Sequence, residues 1–162
     1  MPTTSDSASG PPGLRRAEPS DLPAIKALIV AAYAKYATRM DRPPAPVLRD
    51  YGPSVAEGTT WVVGSPLTAV LMIYPRTDHM YVENVAVDPG AQGRGLGRAL
   101  LEFAEEQAAL LGLRRMALVT HEVMTENRAI YARLGYLEVE RRSEDGYRRI
   151  YLEKSLDSGS AR

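Results

Sequence analysis

The chain has 162 residues, no cysteine, and 20 basic against 20 acidic side chains, so its formal net charge is zero. This length predicts one domain with a buried core, and the balanced charge gives no support for a nucleic-acid partner or a polybasic membrane surface. The lack of cysteine excludes disulfides, a thiolate nucleophile and cysteine metal ligands.

The ends of the chain predict polar tails around a single domain. The sequence begins Met-Pro-Thr-Thr-Ser-Asp, without the basic and apolar regions of a secretory signal, and no apolar run approaches the roughly 18 residues of a membrane span. We therefore expect a cytoplasmic protein. Residues 1–12 predict a disordered tail, residues 13–155 the domain, and residues 156–162 a polar tail.

The first half of the chain predicts strands and two helices. Leu22, Ile25 and Ile29 begin an apolar spacing typical of a helix that ends near Tyr36. β-branched runs on both sides of Gly64-Ser65-Pro66 predict a hairpin. The predicted strands are residues 13–17, 59–63, 68–74 and 80–87, and the predicted helices are residues 22–36 and 47–51, the second stopped by Gly52-Pro53.

A glycine-rich loop follows the strand predicted at residues 80–87. Pro89 lacks the N–H that a ladder needs and ends this strand, and glycines follow at positions 90, 93, 95 and 97. The apolar spacing of residues 96–111 then predicts a helix, with Gly112 at the position of a left-handed C-cap. This arrangement favours an anion, because the first-turn N–H groups have no partner within a helix.

The spacing of the loop excludes two common phosphate-binding patterns. No Lys-Ser/Thr follows the glycines, as the Walker pattern requires, and a Gly-x-Gly-x-x-Gly/Ala pattern that starts at Gly93 meets Arg98 at its last position. The pattern that fits is Gln/Arg-x-x-Gly-x-Gly/Ala, through Gln92, Gly95 and Gly97.

The rest of the chain predicts a strand, a short helix and two strands, at residues 115–120, 125–134, 136–140 and 147–152. Two strands separated by one helix, residues 80–87 and 115–120, predict a parallel pair with a right-handed crossover. Glu144-Asp145-Gly146 predicts the turn between the last two strands. Together these elements predict an α/β (α+β) fold, a mixed central sheet of about six to seven strands with about four helices around it.

Two segments resemble the GNAT N-acetyltransferase superfamily. The strand, the glycine loop and the helix together closely resemble the superfamily's acetyl-CoA pyrophosphate loop. Asn127, Tyr131 and Gly135-Tyr136 are similar to a later segment, Asn-x-x-x-x-Tyr-x-x-x-Gly-Phe/Tyr, with the asparagine one residue nearer the tyrosine. The resemblance covers about residues 13–154 and implies the GNAT fold, with a parallel pair splayed at the cofactor site and acetyl-CoA as co-substrate. Many members of the superfamily form homodimers, and the resemblance therefore implies a homodimer as an expectation for this chain.

The resemblance also implies which residues hold the cofactor. The pantetheine arm would run beside the strand at 80–87, with main-chain contacts from Val85 and Val87. Arg94 and Arg98 either add charge toward the phosphates or form a solvated helix start, and Asn127 either bonds the arm or caps its helix. The implied cofactor-binding residues are Val85, Ala86, Val87, Gln92, Gly93, Arg94, Gly95, Leu96, Gly97, Arg98, Asn127 and Tyr131.

Glu83 and Tyr131 are the candidate catalytic residues. Glu83 is a carboxylate in an otherwise apolar strand, just before the expected splay, and is our candidate base. Its segment is similar to the Ile-Glu-Asp-Ile-Ala-Val strand of amino-sugar-phosphate N-acetyltransferases, except that Asn84, which cannot act as a base, stands in the second position. The resemblance places Tyr131 near the cofactor sulfur as the acid. A salt-bridged Glu83, a core Tyr131, a water relay and His121 as the base are the alternatives.

The acceptor site is expected in the segments after the first helix and between the last two strands. Tyr33, Tyr36, Tyr51 and Asn84 are the candidate substrate residues, with Arg39, Asp145 and Tyr147 near them. Aromatic side chains with arginines suit a small amine that carries an acidic or aromatic part. The two histidines have no metal-ligand spacing, so no metal is implied.

We therefore predict an N-acetyltransferase that moves an acetyl group from acetyl-CoA to a primary amine of a small molecule. Transfer is expected to be direct, in a ternary complex, because the chain has no cysteine to carry the acetyl group. Two alternatives stay open: a protein N-terminal or lysine acetyltransferase with a peptide groove, and an acyl-CoA-binding sensor without turnover.

Overall fold

A seven-stranded mixed sheet is the frame of the computed structural model, which describes residues 10–156. Residues 1–9 of the predicted N-terminal tail and 157–162 of the C-terminal tail lie outside the described residues. Residues 10–12, which the prediction assigned to the tail, are described, and Pro11 is buried. No helix among the described residues is long and apolar enough to cross a membrane.

The strands follow the spatial order β1-β2-β3-β4-β5-β7-β6, and only β4 and β5 run parallel. The mixed sheet and its parallel pair are therefore confirmed. The strands are β1 (Leu14–Arg16), β2 (Thr60–Val63), β3 (Ala69–Pro75), β4 (Met80–Val87), β5 (Arg115–His121), β6 (Leu137–Glu144) and β7 (Tyr147–Ser155). The α-helices are α1 (Leu22–Ala37), α2 (Ala45–Leu48), α3 (Gly52–Glu57), α4 (Leu96–Leu110) and α5 (Thr125–Arg133).

The segment after α1 differs from the prediction of one helix at residues 47–51. A four-residue helix, α2, ends at Leu48, and Gly52-Pro53 begins α3 instead of stopping a helix. Proline fits the first turn of a helix because its fixed φ suits the helix and its missing N–H would have no partner there. The Asp50 Oδ1 atom accepts the Gly52 N–H at 2.9 Å and supports this start.

Helices cover both faces of the sheet, and β3 is buried on both sides. Leu71 packs in the cluster that contains the apolar face of α4, whereas Val70 and Met72 pack in the cluster that contains the apolar face of α1. Side chains of a strand point alternately to its two faces, so a near-continuous apolar run is required at this position. The helix that follows the glycine loop, α4, is thereby packed against the buried strand β3.

A β-bulge in β4 exchanges the faces to which its side chains point. Met72 pairs with Asn84, but the next residue, Ile73, pairs with Val82, so Glu83 has no partner on β3. Met80 and Val82 therefore pack with α4, and after the bulge Ala86 packs with α1. The bulge turns Asn84 toward α1, where it bonds Tyr33.

The parallel pair separates directly after the same point. β4 pairs with β5 only from Met80 to Val82, opposite Met116 to Leu118. β5 continues to His121, where its partner is β7 alone. From Glu83 onward the strands are splayed, as predicted, and a gap opens between them.

Leu100 in α4 tests how much this core contributes to stability. Its side chain is fully buried, so Leu100→Ala is expected to lower the free energy of unfolding by about 2–5 kcal/mol, through lost burial and the cavity it leaves. Urea denaturation measures this change. Leu110→Ala on the same helix is the control, because Leu110 is 77% exposed and its loss should change stability by less than about 0.5 kcal/mol. Equal effects of the two substitutions would contradict the packing described.

Candidate active site

A cavity of about 850 Å³ lies at the open side of β4 and the start of α4. It is lined by every predicted cofactor residue except Arg94. Arg94 instead donates to the Gly90 carbonyl at 3.3 Å, and Arg98, which does line the cavity, bonds Glu102 at 3.0 Å. The solvated alternative therefore describes Arg94 better than Arg98.

The glycine loop presents unpaired N–H groups to this cavity. Gly93 and Gly95 have φ of 86° and 79°, a left-handed conformation that favours glycine. Gly95 is the N-cap of α4, and its carbonyl accepts the first helical bond, from Ala99 at 3.0 Å. The N–H groups of residues 96–98 are thus left without helical partners, which makes them donors for an anion.

Gly97 is a glycine for a different reason. It lies inside α4, and a Cβ atom there would come no closer than 3.8 Å to Val87 Cγ2. The protein itself therefore leaves room for a side chain at this position. A side chain at position 97 would instead extend into the cavity. The lack of a Cβ atom at Gly97 therefore allows a bulky anion such as a pyrophosphate to approach the helix closely.

The backbone of β4 also faces the cavity through alternate residues. Asp88 donates its N–H to the Thr68 carbonyl at 2.8 Å, and hydrogen-bonded pairs alternate along an antiparallel ladder. Ala86 therefore faces β3, while Val85 and Val87 direct their N–H and C=O groups into the gap. The Gln92 side chain donates to the Val87 carbonyl at 3.1 Å and ties the loop to the strand.

A second cavity, of about 570 Å³, joins the first. The two share Tyr33, Val85, Asn127 and Tyr131 in their linings, and so meet at the splay. Of the candidate acceptor residues, Tyr33, Tyr51, Asn84, Asp145 and Tyr147 line the second cavity together with Glu83.

Two candidate acceptor residues are placed elsewhere. Tyr36 lines the first cavity and not the second, because the next turn of α1 carries it toward α5. Arg39 lines neither cavity and forms a two-pronged ion pair with Glu126 at 2.7 and 2.8 Å. Arg39 therefore connects α1 to the start of α5, and neither residue surrounds an acceptor in the second cavity.

A chain of hydrogen bonds fixes Asn84 in the wall of the second cavity. The Tyr33 hydroxyl donates to Asn84 Oδ1 at 2.8 Å, and Asn84 Nδ2 donates to the Tyr51 hydroxyl at 3.3 Å. The Tyr51 hydroxyl in turn donates to the Pro46 carbonyl at 2.6 Å. Burial raises the pKa of Tyr33 and, to about 12, the pKa of Tyr51, so both hydroxyls keep their protons.

Glu83 lies in the second cavity as a salt-bridged carboxylate. Its side chain is 19% exposed and accepts a short charged hydrogen bond from Arg49, which lies between α2 and α3. The sequence alone did not indicate Arg49, because nothing in the pattern of residues 45–52 shows which way that arginine points. Tyr81 and Arg149 also line this cavity. The sequence did not indicate them, because the local pattern of a strand does not show which of its side chains border a cavity.

Tyr131 and Asn127 project from α5 at the junction of the cavities. Burial raises the pKa of the Tyr131 hydroxyl well above its usual value, and this hydroxyl makes no hydrogen bond within residues 10–156. The N-cap of α5 is Met124, so Asn127 is the third residue of the helix and the capping alternative is wrong. Asn127 lines both cavities.

His121 is a poor base in this arrangement. Its Nδ1 atom lies 3.2 Å from the Val123 N–H and its Nε2 atom 3.2 Å from the Arg148 N–H, so both ring nitrogens face backbone donors. Burial lowers the pKa of the imidazole. The neutral ring can accept from only one of these N–H groups, and a second proton would set both ring nitrogens against backbone donors. Neither histidine belongs to a metal-binding cluster of three or more residues in the described part of the chain.

Two hydrogen bonds hold the β6–β7 turn in place beside the second cavity. Asp145 and Gly146 have φ of 54° and 83°, as expected for a two-residue hairpin turn. Arg42 donates to the Asp145 carbonyl at 3.0 Å, and the Tyr147 hydroxyl donates to the Pro43 carbonyl at 2.7 Å. The link after α1 and the hairpin thus hold each other in place.

Comparison with known proteins identifies relatives of this chain. A model of the acetyltransferase (GNAT) family matches residues 28–136. Mycothiol acetyltransferase of Beutenbergia cavernae is 34% identical over 99 residues, which cover 52% of this chain and 33% of that protein. The chain therefore spans about a third of the length of the curated relative that it matches.

Solved structures share the fold over most of the chain. PaiA N-acetyltransferase of Thermoplasma acidophilum, in complex with coenzyme A, has a TM-score of 0.73 at 13% identity and covers 88% of this chain and 97% of its own. The ribosomal-protein-S18-alanine N-acetyltransferase of Escherichia coli has a TM-score of 0.69 at 22% identity, with coverages of 88% and 92%. Likeness at these identities establishes the fold alone.

Proposed function

The chain belongs to the GNAT acetyltransferase family, and we propose that it is an N-acetyltransferase that moves the acetyl group of acetyl-CoA to the primary amine of a small molecule. The observation that carries this proposal is the junction of the two cavities at Val85, Asn127 and Tyr131. A donor in the first cavity and an acceptor in the second would meet there, which direct transfer requires.

Two sets of backbone groups in the first cavity support the binding of acetyl-CoA. The free N–H groups of residues 96–98 and the positive end of the α4 dipole suit the pyrophosphate. The open N–H and C=O groups of Val85 suit the amide-containing pantetheine arm. The arm would then end beside Tyr131, where a bound acetyl-CoA supplies its acetyl group as a thioester.

In the reaction, Glu83 accepts a proton from the acceptor ammonium, directly or through a water. The freed nitrogen lone pair forms the C–N bond to the acetyl carbonyl, and the C–S bond breaks with its electron pair moving to sulfur. Tyr131 donates a hydrogen bond and then its proton to the departing thiolate, the second nitrogen proton returns to Tyr131, and Glu83 releases its proton to solvent. The Val85 N–H is the candidate donor to the carbonyl oxygen as negative charge develops on it.

Two observations favour a small acceptor and an active enzyme over the alternatives. The hydrogen bonds of Arg42 and Tyr147 tie the hairpin turn to the link after α1 beside the second cavity, where a peptide groove would need these two segments apart. Both Glu83 and Tyr131 lie in the second cavity. A sensor would have no need of a base and a proton donor so placed.

The experiment that tests the proposal is a free-thiol release assay with acetyl-CoA and a panel of small amines and peptides. We expect thiol release that depends on a small amine, with acetylated amine detected by mass spectrometry. Release with peptides alone would support the protein acetyltransferase, and tight acetyl-CoA binding without release for any acceptor would support the sensor.

Tyr131→Phe is expected to lower kcat about 10- to 100-fold, because it removes a hydrogen bond to a developing thiolate. The dissociation constant for coenzyme A and the stability should change little, since the lost hydroxyl has no partner in the described part of the protein. Steady-state kinetics and thermal denaturation measure these quantities. Tyr74→Phe is the control, because Tyr74 lies on β3 outside both cavities. An unchanged kcat in Tyr131→Phe would mean that solvent, and not Tyr131, supplies the proton to the thiolate.

A further inference from the structure

Proton transfer alone does not explain the Arg49–Glu83 ion pair in the second cavity. Both residues line the cavity, and proton transfer by Glu83 does not require an arginine bound to its carboxylate. Apart from its bond to Glu83, the Arg49 guanidinium makes no hydrogen bond within residues 10–156. The Arg49 guanidinium binds one carboxylate oxygen of Glu83, Oε2, and therefore competes with an acceptor ammonium for this side chain.

Arg49 can move, whereas the neighbouring wall is fixed. Its side chain is 42% exposed and rises from the extended link between α2 and α3, where its backbone has φ of −73° and ψ of 148°. Asn84, next to Glu83, is bonded on both sides by Tyr33 and Tyr51. Displacement therefore turns the guanidinium within the cavity and leaves Asn84 in place.

We infer that the ion pair is a recognition site for an α-amino acid, whose two charges replace the two members of the pair. The ammonium takes the place of Arg49 on Glu83, and the carboxylate takes the place of Glu83 on Arg49. The inference rests on the proposed function, because it puts the α-nitrogen beside the junction where acetyl transfer would occur. One carbon separates the two charges of such an acceptor, which suits two side chains already in contact.

The exchange keeps every charge in the cavity paired. An amine without a carboxylate would leave Arg49 without a partner, and an acid without an ammonium would oppose Glu83, and both are costly in a partly buried site. Guanidinium and carboxylate groups also form strong two-pronged hydrogen bonds. The α-amino acid therefore binds better than either of its halves.

The remainder of the cavity indicates the side chain of this amino acid. Its charged lining residues balance, with Arg49 and Arg149 against Glu83 and Asp145. Its other walls carry apolar and aromatic surface, from Met40, Leu48, Tyr51, Tyr81 and Tyr147. A neutral apolar or aromatic side chain fits these walls.

Calorimetric titration of the coenzyme A-saturated protein tests this inference at pH 6.5, where the amine probes are charged. The probes are L-phenylalanine, L-phenylalaninamide, 2-phenylethylamine and 3-phenylpropanoate, which remove one charge at a time. L-Alanine and L-alaninamide repeat the comparison without a large side chain. We expect each amino acid to bind at least about 10-fold more tightly than its amide, in line with a charge-assisted hydrogen bond. The amide also stands in for a peptide N-terminus.

Arg49→Gln should abolish this preference, so that amino acid and amide bind alike. Arg148→Gln is the matched control, because Arg148 is an exposed arginine outside both cavities that pairs with Glu122. It should leave the preference intact. Equal binding of amino acid and amide to the unaltered protein, or equal weakening of all probes by Arg49→Gln, would overturn the inference.

Thiol release with the same probes separates this inference from the proposed function. Binding with the expected preference but no acetyl transfer to any acceptor would support the recognition site and contradict the proposed acetyltransferase activity. Transfer to amines without any preference for a carboxylate would retain the enzyme and reject the recognition site.

Discussion

Replacing Glu83 by glutamine is expected to lower kcat/KM for the amine about 10²- to 10⁴-fold at neutral pH, the usual contribution of a positioned general base. The amide keeps the size of the side chain but cannot accept the ammonium proton. Activity should recover partly as the pH rises, because a larger fraction of the acceptor then arrives as the free amine. Initial rates from pH 6 to 10 measure both effects, and calorimetry should show coenzyme A affinity within about 3-fold of that of the unaltered protein.

Two control variants sharpen this result. Glu122→Gln removes a carboxylate that lies near the second cavity without lining it, and should leave the rates unchanged. His121→Gln should keep the shape of the pH profile, since both imidazole nitrogens face backbone N–H groups. If Glu83→Gln kept full activity and His121→Gln lost it, the base would be His121.

Replacing Gly97 by valine is expected to weaken coenzyme A binding about 100-fold or more, equivalent to roughly 2.7 kcal/mol. The added side chain would occupy the space in which the pyrophosphate approaches the first turn of α4. The fold should not suffer, because a Cβ atom at Gly97 meets only an ordinary contact with Val87 and glycine is itself a poor helix former. Calorimetric titration gives the affinity, and urea denaturation gives the stability.

Gly112→Ala gives the opposite pattern and is the matched control. Gly112 has φ of 76° just after α4 and lies outside both cavities. Alanine there should cost about 1 kcal/mol of stability through backbone strain and leave coenzyme A affinity unchanged. Normal affinity in a well-folded Gly97→Val protein would mean that the loop does not hold the pyrophosphate.

The elements on the donor side could be predicted from the sequence because their signals are local. The end of β4 at Val87 and the start of α4 at Leu96 both follow from neighbouring residues. The parallel crossover followed from one strand–helix–strand order. The sequence also placed Tyr131 on a helix beyond β5, where the first and second cavities join.

The acceptor side was harder to predict because it depends on long-range register. Alternation along residues 80–87 puts Val82 and Ala86 on one face, but the bulge at Glu83 puts them on opposite faces. No local signal marks such a bulge. One turn of α1 separates Tyr33, in the second cavity, from Tyr36, which is outside it, and the sequence could not show where the cavity ends.

A crystal structure of the protein with coenzyme A tests the central claim most directly, that a donor in the first cavity reaches the acceptor cavity at Tyr131. We predict that the pyrophosphate will accept hydrogen bonds from the N–H groups of residues 96–98. The sulfur should lie within about 4 Å of the Tyr131 hydroxyl, close enough to accept its hydrogen bond. A sulfur directed away from Val85 and Tyr131, or a pyrophosphate bound elsewhere than at the start of α4, would contradict this account.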